Sequence, residues 1–79
     1  MTIQLNGDPY ELSAPLTIAQ LLATLDIDHR RVAVERNFVI VKRDQYAATD
    51  IAEGDEIEIV NFVGGGSARS RLRPSAGRG

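Results

Sequence analysis

Polar and apolar residues alternate along Thr2-Ile3-Gln4-Leu5-Asn6, the period-two signature of a strand that turns Ile3 and Leu5 to one face. Asn6-Gly7-Asp8-Pro9 interrupts that period. Gly7 tolerates positive φ, and Pro9 has no amide hydrogen to offer a central strand. A hairpin turn is therefore expected here, returning the chain as a second strand through Tyr10 to Leu12. Ser13-Ala14-Pro15 ends that strand.

The period then changes. Thr17-Ile18-Ala19-Gln20 has capping-box spacing: the Thr17 hydroxyl can accept from the Gln20 amide while the Gln20 side chain reaches back to the Thr17 backbone. Leu16 and Leu21 stand where a hydrophobic staple would. Ile18, Leu21, Leu22 and Leu25 fall at i, i+3, i+4 and i+7, so a helix with one buried face is expected. After Asp26-Ile27-Asp28-His29-Arg30 the period returns to two in Val32-Ala33-Val34-Glu35-Arg36 and in Val39-Ile40-Val41-Lys42-Arg43, with Asn37-Phe38 as the connecting turn. Residues 44–50 read as irregular or as a short helical turn, and Glu53-Gly54-Asp55 is a turn signal. The clearest strand follows it, Glu56-Ile57-Glu58-Ile59-Val60-Asn61-Phe62.

The order strand, strand, helix, three strands, with a single amphipathic helix, predicts an α+β architecture in which the helix packs across one face of a mixed sheet of four to five strands. Only Val63 separates the last strand from Gly64-Gly65-Gly66. The organisation read from the chain is a domain over 1–63, a glycine arm over 64–66 and a disordered, Arg-rich tail over 67–79.

Composition narrows the chemistry. A chain of 79 residues has room for one small domain and little room for a deep catalytic cleft. There is no cysteine, hence no disulfide framework, thiolate metal site or cysteine nucleophile. No long apolar stretch and no basic leader is visible, so a cytoplasmic protein without a membrane partner is expected. His29 is the single histidine and reads as a solvated connector residue; one imidazole makes no zinc site, and no metal site is expected. Asp26 and Asp28 flank a helix end and read as structural. Ser13 has no activating partner, and the glycine run lacks the Lys-Ser/Thr ending of a phosphate loop. No enzyme motif stands.

Charge is divided along the chain. Residues 1–66 hold all 11 acidic side chains against five basic ones, a net −6, whereas the rest holds Arg69, Arg71, Arg73 and Arg78 and no acid.

The β-grasp element order, the stretch Ile51-Ala52-Glu53-Gly54-Asp55-Glu56-Ile57-Glu58-Ile59, the Val34-Glu35-Arg36-Asn37 segment and the ending Val60-Asn61-Phe62-Val63-Gly64-Gly65-Gly66 together resemble the ThiS family. These are ubiquitin-like sulfur carriers of thiamine biosynthesis. The resemblance covers residues 1–66 and implies a protein that is not an enzyme. It implies that an E1-like adenylyltransferase, using ATP and Mg, adenylates the carboxylate of Gly66. Sulfur then replaces AMP, and the thiocarboxylate is the sulfur donor for thiazole synthase. No cofactor is bound by the carrier itself. The sequence departs from the family in one respect: thirteen residues follow Gly66, whose carboxyl is therefore in a peptide bond to Ser67. Removal of 67–79 by a protease, an extension foreign to the working chain, and a copy with another role all stay open.

The site expected on this reading is Gly66 as the point of adenylation and thiocarboxylate formation, with Gly64 and Gly65 as a flexible arm thin enough for a narrow channel. Strict alternation puts Glu56, Glu58, Val60 and Phe62 on one face of the last strand. With Val63 they form a candidate partner-docking surface, provided that Ile57 and Ile59 face the core; the alternative is that Phe62 folds over the sheet end. Glu53, Asp55, Glu56 and Glu58 are expected either to steer the arm to a basic groove or simply to be solvated.

Other readings stay open at this stage. Within the same class, the small subunit of molybdopterin synthase and a ubiquitin-like modifier share the glycine ending. From another class, a β-grasp binding module could use its basic tail on an acidic ligand. Nucleic acid is disfavoured as that ligand, because the body is acidic and the tail has no aromatic residue to stack on a base.

Overall fold

The structure, a computed structural model, describes residues 1–63 and 68–71, with residues beyond Asn61 described by backbone alone. Strands β1 (Thr2–Leu5) and β2 (Asp8–Glu11) lead to helix α1 (Ile18–Thr24); β3 (Val32–Arg36), β4 (Val39–Val41), β5 (Glu56–Val63) and β6 (Ala68–Arg71) follow. The sheet order is β2-β1-β5-β3-β4, with β1 and β5 parallel and the other neighbours antiparallel, and β6 pairs with β5. This is the expected mixed sheet with one helix.

The first hairpin closes through two residues, since Leu5 pairs with Asp8 and both Asn6 (φ 51°) and Gly7 (φ 86°) are left-handed. That conformation matches the right-handed twist of the flanking strands. The return strand starts earlier than the sequence pattern implied and includes Pro9. It can do so because β2 is an edge strand, where a missing amide hydrogen costs no ladder bond.

The capping box is present as read from the sequence. Thr17 Oγ1 accepts from the Gln20 amide at 3.1 Å, and Gln20 Oε1 accepts from the Thr17 amide at 2.9 Å. The buried stripe Ile18, Leu21 and Leu22 packs with Ile3, Leu5, Val32, Val34, Ile57 and Ile59 into one aliphatic core, closed by Leu12, Tyr46 and Ile51. Leu25, the fourth position of the stripe, is the C-terminal cap and only partly buried. Single 3-10 turns at His29–Arg31 and Arg43–Gln45 link the elements. In the first, Asp28 caps the Arg30 amide at 2.9 Å and pairs with the Arg30 guanidinium at 3.1 Å, which holds its carboxyl down at about 2. Asp28 is thus a structural residue, as its sequence position implied.

The second hairpin is built differently. Arg36 pairs with Val39, so Asn37 (φ 53°) and Phe38 (φ 71°) form the two-residue loop, and Phe38 occupies a left-handed position that usually takes glycine. Its side chain is 73% exposed and recovers little by burial. Replacing Phe38 with glycine is expected to raise stability by about 1 kcal/mol, the left-handed penalty of a side chain less the added backbone entropy of glycine. Thermal unfolding checks this, with an upward shift of roughly 4–8 °C expected.

Among the described residues no helix is long and apolar enough to cross a membrane.

Candidate functional site

Strand β5 is the spine of the sheet and leads into the glycine run. Its inner face carries Ile57 and Ile59, both about 1% exposed, so Glu56, Glu58 and Val60 lie on the outer face, as the alternation required. Register extends that face sideways: Glu35 sits opposite Glu58, Ala33 opposite Val60, and Ile40 of β4 opposite Glu35. Glu56 is exposed, and Glu58 and Val60 are half-buried. Phe62 and Val63 continue β5, but their side chains lie outside the described residues, as does the glycine arm, Gly64, Gly65 and Gly66, including the expected modification point.

One edge of β5 faces β3 over Ile57–Asn61. The other is satisfied in three stages. First, β1 pairs with Glu56 and Ile57. Then the buried side chain of Asn6 takes over: its Oδ1 accepts from the Ile59 amide at 2.7 Å and its Nδ2 donates to the Ile59 carbonyl at 3.2 Å, imitating one more rung of backbone. Finally β6 pairs with Val60–Val63. Ala68–Arg71 were expected to belong to a disordered tail; they form a strand because the end of β5 would otherwise leave backbone groups without a strand partner on this side. The remainder of the expected tail lies outside the described residues.

Asp55, at the foot of β5, corrects another expectation. It is not available to steer a partner, because it is 6% exposed and bound on three sides. Its Oδ2 accepts from Arg36 Nε at 2.7 Å and from the Ala52 amide at 2.8 Å, and its Oδ1 accepts from Asn37 Nδ2 at 3.1 Å. Burial alone pushes the carboxyl up, but the Ala52 N–H, the Arg36 guanidinium and the Asn37 amide outweigh it and hold it below the ordinary carboxylate value. Asn37 also exchanges hydrogen bonds with Glu56, so the network ties the β3–β4 turn to the start of β5. Glu53 is likewise engaged, accepting from the Thr2 amide at 3.0 Å. The other two acids considered for steering, Glu56 and Glu58, lie on the outer face.

Two surface features carried no assignment from sequence. Phe38, Val39 and Ile40 form an exposed apolar run at the second hairpin, and the signal for it was phenylalanine in the glycine position of an Asn-X turn. On the helix side, an open groove of about 320 Å³ is lined by Leu22, Ile27, His29, Arg43, Asp44 and Tyr46 among others. It lies apart from β5, and His29 is the single imidazole in it. Among the described residues no group of three His, Cys, Asp or Glu side chains is placed to hold a metal.

The profile of the ThiS family matches residues 3–66, almost the whole body and ending at the third glycine. The chain belongs to the ThiS family. A ThiS crystal structure from Geobacter metallireducens, described as a thiamine biosynthesis protein, superposes with a TM-score of 0.74 at 32% identity, covering 84% of this chain and all of that one. The sulfur carrier protein ThiS of Bacillus subtilis is 40% identical over 65 residues, 81% of this chain and 98% of its own. A thiazole synthase from Paramagnetospirillum magneticum is 42% identical over 78 residues, 99% of this chain. The chain spans only 24% of that protein's length. The ThiS body thus ends at Gly66 in the family match, while similarity to the longer relative continues through β6.

Proposed function

We propose that this ThiS-family chain is a sulfur carrier of thiamine biosynthesis, that Gly66 bears the sulfur, and that the chain is the substrate of partner enzymes and catalyses nothing itself. The observation that carries the reading is the family match ending at Gly66, three residues beyond the last residue of β5, Val63. The naming of the B. subtilis relative supports the carrier role, and a thiazole synthase that contains a segment like this chain supports delivery to such an enzyme.

The chemistry requires a free carboxylate. Hydrolysis of the Gly66–Ser67 bond by an endoprotease places the oxygen of water on Gly66 and leaves Ser67 with the new amine. An E1-like adenylyltransferase then joins the Gly66 carboxylate to the α-phosphorus of ATP, with Mg on the phosphates, and pyrophosphate departs. A sulfide-level nucleophile displaces AMP to give the thiocarboxylate for thiazole synthase. The carrier contributes a backbone arm without Cβ atoms, which fits a narrow channel, and a docking surface of the outer-face positions Glu56, Glu58, Val60 and Phe62 with Val63 at the strand end. That face mixes apolar contact with negative charge and suits a partner surface with basic residues around an apolar centre.

Intact mass spectrometry of the protein from thiamine-starved cells of its own organism tests this reading. The expected result is a chain ending at Gly66, a fraction of which has one oxygen exchanged for sulfur. A mass that retains the residues after Gly66, unmodified throughout, would overturn it. In a chain ending at residue 66, Gly66→Ala is expected to leave thermal unfolding unchanged and to lower adenylation by about 100-fold, since a displaced reacting carboxylate is enough to cost that much.

A further inference from the structure

Backbone direction alternates along β5. The Gln4 amide donates to the Asp55 carbonyl, the Asn6 amide to the Ile57 carbonyl, and the Asn6 side chain takes both backbone groups of Ile59. The Asp55 carbonyl and both backbone groups of residues 57 and 59 therefore face the β1 side, and by the same alternation so do those of Asn61 and Val63. Their cross-strand partners are Ser70 and Ala68 of β6. Nothing else among the described elements reaches this part of the edge, because β1 has already turned away at Asn6.

Register also sorts charge. Arg71 is opposite Val60 and Arg69 opposite Phe62, so both arginine positions fall on the outer face, the one that holds Glu35, Glu56 and Glu58. Glu35 and Glu58 are themselves directly opposite across β3 and β5, which places two acidic positions side by side on that face. Arg71 lies on the diagonal from Glu58, within the range over which long side chains interact.

We propose that the Asn61–Val63 edge of β5 is a strand-acceptor site for an extended segment with basic residues at alternate positions. Ala68–Arg71 occupy it in this chain, and a partner that takes up the glycine arm supplies its own basic strand in their place. The proposal rests on the carrier reading for the identity of that partner, but not for the existence of the site. Its occupant is the one the structure seats there: a peptide strand added to a sheet edge, whose main chain gives affinity and whose alternate side chains give specificity. The consequence is that β6 brackets the glycine arm between two paired strands until the chain is cut or the strand displaced.

Amide hydrogen exchange on the full chain reads the site directly. Asn61 and Val63 are expected to be protected in the native sequence. Ser70→Pro, which deletes the N–H facing Asn61, is expected to speed both amides by about tenfold or more while Ile59 and Val34 stay slow. Ser70→Ala keeps the N–H and is expected to change neither. Arg69→Glu with Arg71→Glu, which leaves the backbone able to pair, is expected to speed the same two amides roughly fivefold by placing acid against acid. A synthetic peptide of residues 67–74, added to the Ser70→Pro chain at about the millimolar level that a short loop imposes internally, is expected to restore protection; the same peptide with glutamate for arginine is not. Equal exchange at Asn61 and Val63 in native, Ser70→Pro and double-Glu chains overturns the proposal, and so does failure of the arginine peptide to protect them. None of these measurements involves ATP or sulfur, so their failure leaves the mass test of Gly66 standing, and a failed mass test leaves the strand site standing.

Discussion

Replacing Asp55 with alanine is expected to cost about 3–5 kcal/mol, because it strands the Arg36 guanidinium, the Ala52 amide and the Asn37 side chain in a partly buried network. A domain of this size has a total stability on the order of 5 kcal/mol, so the variant is expected to keep only about 0–2 kcal/mol and to be partly unfolded near physiological temperature. Asp55→Asn keeps the shape and one accepting oxygen but not the charge, and is expected to lose about 2 kcal/mol. Denaturant unfolding at neutral pH separates the two. The same carboxylate gives a pH signature. Its folded-state value is depressed, so its contribution is complete above the unfolded-state value of about 3.9 and is lost as the pH falls through the lower folded value. The native chain is therefore expected to lose stability on acidification below about pH 4, and Asp55→Asn to lose less over that range. A native protein as stable at pH 2.5 as at pH 6 would contradict the assignment.

Asn6→Leu is expected to cost about 3 kcal/mol, from two buried backbone groups of Ile59 left without partners and from a branched side chain forced to φ 51°. Asn6→Asp fares little better, since a carboxylate can accept from the Ile59 amide but meets the Ile59 carbonyl with a second acceptor. Thermal unfolding gives the size of the loss. Exchange at the Ile59 amide gives its cause, because the hydrogen bond to Asn6 is the one removed. If the Ile59 amide stays as slow in Asn6→Leu as in the native chain, the side chain is not the rung described here.

These two residues show what sequence pattern conceals. Asn6 read as a turn former, and it is one, but the same left-handed residue also completes the β1–β5 ladder over a separation of 53 positions. Asp55 read as one acid in a solvated run. A short Glu-Gly-Asp-Glu stretch looks alike whether its aspartate is wet or buried, and only the approach of Arg36 and Asn37 from the second hairpin distinguishes them. Phe38 likewise looked like an ordinary turn residue until its φ was known.

The local features were legible because their physics is local. The Thr17–Gln20 capping box, the Ile18-Leu21-Leu22 stripe and the inward turn of Ile57 and Ile59 each depend on spacing within a few residues, where helix and strand periods leave a trace in the order of side chains. The strand that ends at Val63, just before the glycine run, was legible for the same reason; the carrier site proposed on that run lies outside the described residues. Tertiary structure alone decided the rest: that Pro9 could enter an edge strand, that Asp55 was a buried anchor, and that Ala68–Arg71 pair with the end of β5. Each of these is settled by which polar groups, of backbone or side chain, meet once distant segments come together, a quantity that no local pattern of hydrophobic and polar residues encodes.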